Sequence, residues 1–231
     1  LYRAAGIGWY GFDEWKLQPR DDNDLEVSSG GGPGEVLSCY QVQGQAAESP
    51  YVGQIVSVTG IVTVAGGEYY SSSHGYAVIE DAGGGPWSGL VLFDSDVLSF
   101  ARGDSVVVTG TVQEYYGMTE LSYITDARII SSGHPLPAPQ DLTTGALMTS
   151  ADPEEWEGVL VRVQNVTVSN DSLGYGQWSV TDGSGDCIVD DLGDYTYEPY
   201  TGDSIQSIIG VCFYSFSEFK MEPRDDADID I

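Results

Sequence analysis

Oxygen-bearing side chains crowd one short stretch of this chain. Asp182, Ser184 and Asp186 alternate along a glycine-rich turn, and Asp190, Asp191 and Asp194 follow within a few residues. Hard cations take roughly six to eight oxygen ligands and accept flexible acidic loops, so the pattern suits Ca2+ as a bound ion. Its offsets are not those of an EF-hand loop, which needs further ligands at fixed positions and a closing Glu. A second acidic pattern, Arg-Asp-Asp-x-Asp, runs from Arg20 to Asp24 and again from Arg224 to Asp228. It would either offer oxygens to the same kind of ion or pair internally with its own arginine.

Other chemistry is sparse. His74 and His134 are the only histidines, one in a Ser-rich turn and one in a Pro-rich stretch, with no third ligand at metal spacing. No Ser stands in a nucleophile elbow and no Cys lies near a His, so the expectation is that the chain is not an enzyme. Cys187 and Cys212 could form a disulfide, or all three cysteines, Cys39 included, could be inert buried thiols. Asn165 and Asn170 head glycosylation sequons in form. The net charge is −28, from 36 acidic against 8 basic residues. Such a field repels phosphate backbones, and no Lys/Arg cluster offsets it, which argues against nucleic acid as a partner. No apolar run approaches the roughly 20 residues that span a bilayer, so membrane insertion is not expected.

The elements that must position these groups are strands. Alternating Val/Ile/Thr/Tyr segments recur between Gly, Asp and Ser, with almost no helical period. About five strands fall in 55–131 and five more in 159–231, and the prolines of 131–143 suit an extended connection. The only short helix is expected within 142–158. Gly103-Asp104-Ser105 and Gly202-Asp203-Ser204 open equivalent strands, so the two sets are repeats. Gly60, Gly110 and Gly210 fall where strands would bend around barrel corners. We therefore expect an all-β chain of two tandem OB-like five-stranded Greek-key barrels, preceded by an orphan N-terminal β segment. The expected boundaries are 1–27 for that segment, 28–35 for a Gly-rich linker, 36–136 for the first barrel, 137–141 for a Pro-rich linker and 142–231 for the second barrel.

The orphan segment carries its own signal. Residues 6–27 and 210–231 align without a gap, and ten of the 22 positions are identical. The second copy closes a barrel, whereas the first has no barrel body ahead of it. Trp9, Tyr10, Phe12, Trp15 and Leu17 would then seek burial against another surface, as a donated strand does. A strand at one end and an acceptor edge at the other make a heterologous contact, which repeats into a filament.

The segments SPYVGQIVSVTGIVT (49–63), GDSVVVTGTVQEYYGMTEL (103–121), EEWEGVLVRVQNVTVS (154–169) and GVCFYSFSEFKMEPRDDADI (210–229) resemble the tandem OB-like barrel regions of large secreted bacterial proteins. The best known of these carry an endonuclease/exonuclease/phosphatase-type nuclease domain downstream. The resemblance implies the barrels and an extracellular location; it does not imply the nuclease. On this basis we expect a secreted, non-catalytic structural protein whose partner is itself, head to tail, in a filament or surface layer. The alternatives are an accessory OB-fold region of a larger secreted nuclease, or a carbohydrate-binding module whose aromatics meet glycans.

Overall fold

In the computed structural model, the described residues are 35–69 and 75–231, together with the backbone of four short strands nearer the amino terminus. The chain divides into two compact units, Leu1–Glu35 and Val36–Ile231. In the first, β1 (Arg3–Ala4) pairs antiparallel with β4 (Leu25–Glu26), and β2 (Ile7–Gly11) with β3 (Glu14–Gln18). The β2–β3 hairpin matches Tyr10 to Trp15 and Gly11 to Glu14. The repeated sequence makes a hairpin in the same register near the carboxy terminus, with Tyr214 opposite Phe219 and Ser215 opposite Glu218. Of the expected assembly residues, Phe12 and the side chains of Trp9, Tyr10, Trp15 and Leu17 lie outside what the structure describes, as does His74.

The second unit holds two sheets. The first uses β5 (Val36–Ser38), β6 (Ile55–Val64), β7 (Tyr76–Glu80), β8 (Gly89–Phe93), β9 (Ser105–Tyr115) and β10 (Met118–Ser131), in the order β5-β6-β7-β8-β10-β9. β9 also pairs back onto β6, which closes a five-stranded barrel, with β8 and β10 parallel. The second uses β11 (Gln140–Asp141), β12 (Leu160–Gly174), β13 (Gln177–Thr181), β14 (Asp186–Val189), β15 (Ser204–Ser215), β16 (Glu218–Glu222) and β17 (Ile229–Asp230). Its order is β11-β12-β13-β14-β16-β15-β17, and β12 also pairs with β15. Strand by strand, it repeats the pairing of the first sheet.

Alternation explains the core of each sheet. Val56, Val58, Val62, Ala77, Ile79, Leu90 and Leu92 face one interior; Val161, Val163, Trp178, Val180, Cys187 and Val189 face the other. A Cβ on Gly110 would stand 2.9 Å from the Ser122 carbonyl oxygen, so glycine there lets β9 and β10 cross closely at the expected corner. All three cysteines are buried free thiols. Cys187 and Cys212 sit in one core on β14 and β15, which are not adjacent strands.

The helix lies elsewhere than expected. Residues 142–158 make three 3-10 turns, at Thr144–Leu147, Thr149–Ala151 and Glu154–Trp156. The α-helix, α1 (Cys39–Gln43), follows Ser38, whose hydroxyl accepts from the Gln41 amide while the Gln41 side chain accepts from the Ser38 amide. That reciprocal cap satisfies two amides at once and holds a helix too short to form alone. Among the described residues, no helix is long and apolar enough to cross a membrane.

A third apolar cluster joins the sheets: Val64, Tyr69, Val78, Val91 and Met118 from the first meet Leu160, Val211 and Phe213 from the second. The backbones nearly touch there. A Cβ on Gly89 would lie 2.1 Å from the Gly158 carbonyl carbon and 2.5 Å from the Val159 nitrogen. Backbone cannot swing aside, so Gly89→Ala should destabilise the chain by roughly 2 kcal/mol or more. Gly83→Ala, with nothing within 4 Å of the new methyl, should be near neutral. Urea unfolding of the two variants checks this, and equal midpoints would contradict the close docking.

Candidate functional site

The two sheets present the same outer face differently. In the first, the side chains pointing away from the core on β7 and β8 are Tyr76, Val78 and Glu80, opposite Phe93, Val91 and Gly89. This face is covered by the second sheet. Phe213 packs edge-on against Tyr69 and Tyr76, at ring-centroid distances of 6.3 and 5.6 Å. Both faces of β7 and β8 are therefore buried, and their sequences, YAVIE and GLVLF, are nearly continuous apolar runs.

Polar groups lock this junction from its rim. Glu80 Oε2 accepts from the Leu160 amide at 3.1 Å, and Glu157 Oε1 accepts from the Thr119 amide at 2.8 Å. The Tyr69 hydroxyl donates to the Glu222 carbonyl at 2.6 Å. The Arg224 guanidinium donates to the Thr63 carbonyl at 3.1 Å while paired with Asp228 at 2.6 Å. The Arg-Asp-Asp-x-Asp pattern thus pairs internally, the second of its two readings, and Asp225 meets Arg102 at 2.8 Å.

On the second sheet, the equivalent outer positions are Gln177, Ser179 and Thr181, with Ile188 opposite Ser179 and Asp186 opposite Thr181. Among the described residues no second sheet covers them: Gln177, Thr181 and Ile188 are half-buried and Asp186 exposed, while Ser179 is buried beside the Ser169 hydroxyl at 2.9 Å. Instead they floor an open groove of about 520 Å3, walled by Ser169, Asn170, Leu173, Asp186 and Glu218. Asp186 occupies the position that Gly89 holds in the first sheet. A carboxylate there bars the backbone-to-backbone approach that docks the two sheets. The turn 174–176, which carries Tyr175, joins two residues of the groove, Leu173 and Gln177. The turn before Glu218 carries Phe216. Tyr175 is 98% and Phe216 89% exposed, both at positive φ.

The expected calcium ligands are dispersed. Both oxygens of Asp182 are engaged, by the Thr144 amide and hydroxyl and by the Ser184 amide and hydroxyl. These donors hold its carboxyl down to about 2 against the desolvation that opposes them. Ser184 turns to the Gly145 amide. Asp190 is buried against the Lys220 ammonium at 2.9 Å and takes a hydrogen bond from Gln177. Asp186 lies in the groove, while Asp194 bridges to Asp225 through its backbone. Asp191 stands beside Gly176, where an added Cβ would meet its carboxylate. Among the described residues, no group of three His, Cys, Asp or Glu side chains could hold a metal ion. The aspartates closed the turn and bound its neighbours instead of gathering on one point. His134 bonds to the Ser131 hydroxyl and takes part in no cluster.

No protein-family model and no curated protein matches the chain. Solved structures do. A murine DNA binding protein bound with ds DNA is 11% identical, with a TM-score of 0.35 over 72% of this chain and 92% of that one. The Ifi202 HINa domain in complex with 20bp dsDNA is 12% identical, with a TM-score of 0.36 over 72% and 90%. Both neighbours hold double-stranded DNA, and the expected head-to-tail filament and the exclusion of nucleic acid are not carried forward. The nuclease-accessory and glycan-binding alternatives gain no support either. At these identities and TM-scores the likeness carries no argument about this chain's own ligand.

Sequence reading missed both the groove and the carboxylates at the junction. The groove had a signal: QWSVT alternates polar and apolar residues where YAVIE does not, so one strand is half-wet and its counterpart is not. The junction had none, because the partners of Glu80 and Glu157 are backbone amides far away in the chain. Burial pushes the carboxyls of Glu80 and Glu120 up to about 7, and those of Glu157 and Glu222 well above the ordinary range. Among the described residues, one oxygen of each of Glu120, Glu157 and Glu222 has no hydrogen-bond partner. Such acids keep a proton in the folded chain where the unfolded chain has lost it. The native state then binds more protons between 4.5, the ordinary Glu value, and about 7. Raising pH across that window should lower stability, and it should be highest near the lower end. Thermal unfolding followed by circular dichroism should show the midpoint falling from pH 5 to pH 8; a midpoint that rises over this range would contradict the assignment.

Proposed function

We propose that this chain is a non-catalytic binding module of two tandem OB-like barrels, and that the groove on β13 and β14 is its ligand site. In this reading the first barrel is the base. Its outer β7–β8 face is used up in docking the second barrel, which presents the same face to solvent. OB barrels bind polymeric ligands across the second and third strands, flanked by the loops after the first and fourth. The groove has that placement: β13 and β14 form its floor, and the turns carrying Tyr175 and Phe216 are those two loops.

The observation that carries the proposal is the reversal of polarity between equivalent faces. Tyr76, Val78 and Val91 on the docked face correspond to Gln177, Ser179 and Ile188 on the open one. A face meant to receive another barrel would keep its apolar residues and its glycine; this one has exchanged them for hydrogen-bonding groups.

Filling the groove tests the reading. Ile188→Tyr places a ring over the floor without touching the core, so folding should be kept. Three fluorescent probes report by anisotropy: oligothymidylate, a short DNA duplex and octa-arginine. The intact chain should bind at least one, and Ile188→Tyr should weaken it about tenfold. Equal binding by the variant, or no binding of any probe, would overturn the assignment.

A further inference from the structure

The groove's charge narrows its ligand. Asp186 and Glu218 stand in its wall, and among the described residues neither has an ion pair. Lys220, two residues along the same strand from Glu218, points its ammonium into Asp190 and is 1% exposed at its side chain. Asp190 is therefore neutralised, while Asp186 and Glu218 are not. No Lys or Arg lines the groove. The surrounding field has the same sign, with 36 acidic residues against 8 basic ones.

Resting on the groove being the ligand site, we infer that its ligand is a cationic polypeptide segment, bearing arginine, from a partner protein. A guanidinium forms two parallel hydrogen bonds with a carboxylate, and Asp186 and Glu218 present two such acceptors in one groove. Its plane also stacks on aromatic rings, and Tyr175, the most exposed aromatic on this sheet, offers one; Phe216 already carries the Lys220 ammonium 5.5 Å from its ring centroid. Asn170 and Gln177 add amide groups that match peptide N–H and C=O, and Leu173 and Ile188 cover the aliphatic stems of long basic side chains. The overall charge draws such a segment in, and the groove holds it.

The test separates the groove from the general field. Fluorescein-labelled octa-arginine is titrated by anisotropy at physiological ionic strength, where diffuse attraction is screened. Asp186→Asn with Glu218→Gln removes two charges from the groove, and Glu48→Gln with Asp96→Asn removes two exposed charges from the first sheet. The groove pair should weaken binding about tenfold and the control pair less than about twofold. Tyr175→Ala should also weaken it, with unfolding midpoints unchanged. Equal losses in both pairs would reduce the interaction to net charge and overturn the inference. Oligothymidylate binding that Ile188→Tyr abolishes, without octa-arginine binding, would overturn it while leaving the ligand site intact. Failure of both probes would remove the site as well.

Discussion

The packing of the outer face of β7 and β8 against Leu160, Val211 and Phe213 decides the rest of this structure. Residues 36–231 are one compact unit because of it. It buries both sides of the first barrel's second and third strands, converts Tyr76 and Tyr69 from surface aromatics into contact residues, and leaves only the second sheet with that face in solvent. Close approach at Gly89 and Gly158 makes the contact intimate enough for backbone amides of one sheet to reach carboxylates of the other.

Those carboxylates explain how a chain so acidic folds tightly. A buried glutamate is costly as an anion unless it is hydrogen-bonded or keeps its proton. At the junction Glu80 and Glu157 are hydrogen-bonded by amides from the opposite sheet, and burial favours the protonated acid. The two salt bridges that are deeply buried, Lys220 with Asp190 and Arg224 with Asp228, use two of only 8 basic residues in places where an unpaired charge would be most harmful. What remains on the surface is almost wholly negative, and the groove inherits that sign.

Much of the strand framework was legible in the sequence. Alternating β-branched segments marked β6 to β10 and β12 to β16, and the aligned Gly-Asp-Ser openings marked the repeat. The ungapped match of 6–27 with 210–231 is realised as two hairpins in one register. The helix was misplaced because the acidic, Trp-bearing stretch at 142–158 reads as helical while the extended backbone at Met148 and the left-handed Asp152 before Pro153 break it into separate turns. Ser38 and Gln41 offered the better signal, on a segment of five residues too short for periodicity to register. The aspartates of 182–194 suggested a cage because spacing does not say which way a side chain turns; Thr144, Ser184 and Lys220 took them. The groove required comparing equivalent strands, where Gly89 against Asp186 and Val78 against Ser179 show which face is docked and which is wet.

One measurement reaches the centre of this account: the relaxation of methyl groups by a soluble paramagnetic probe, read by NMR on the intact chain. If the β7–β8 face is sealed and its counterpart open, the Val78 and Val91 methyls should be as protected as the core Val108, while Ile188 relaxes strongly. Strong relaxation at Val78 and Val91, equal to that at Ile188, would show both faces open to solvent and would contradict the docking on which the ligand site depends.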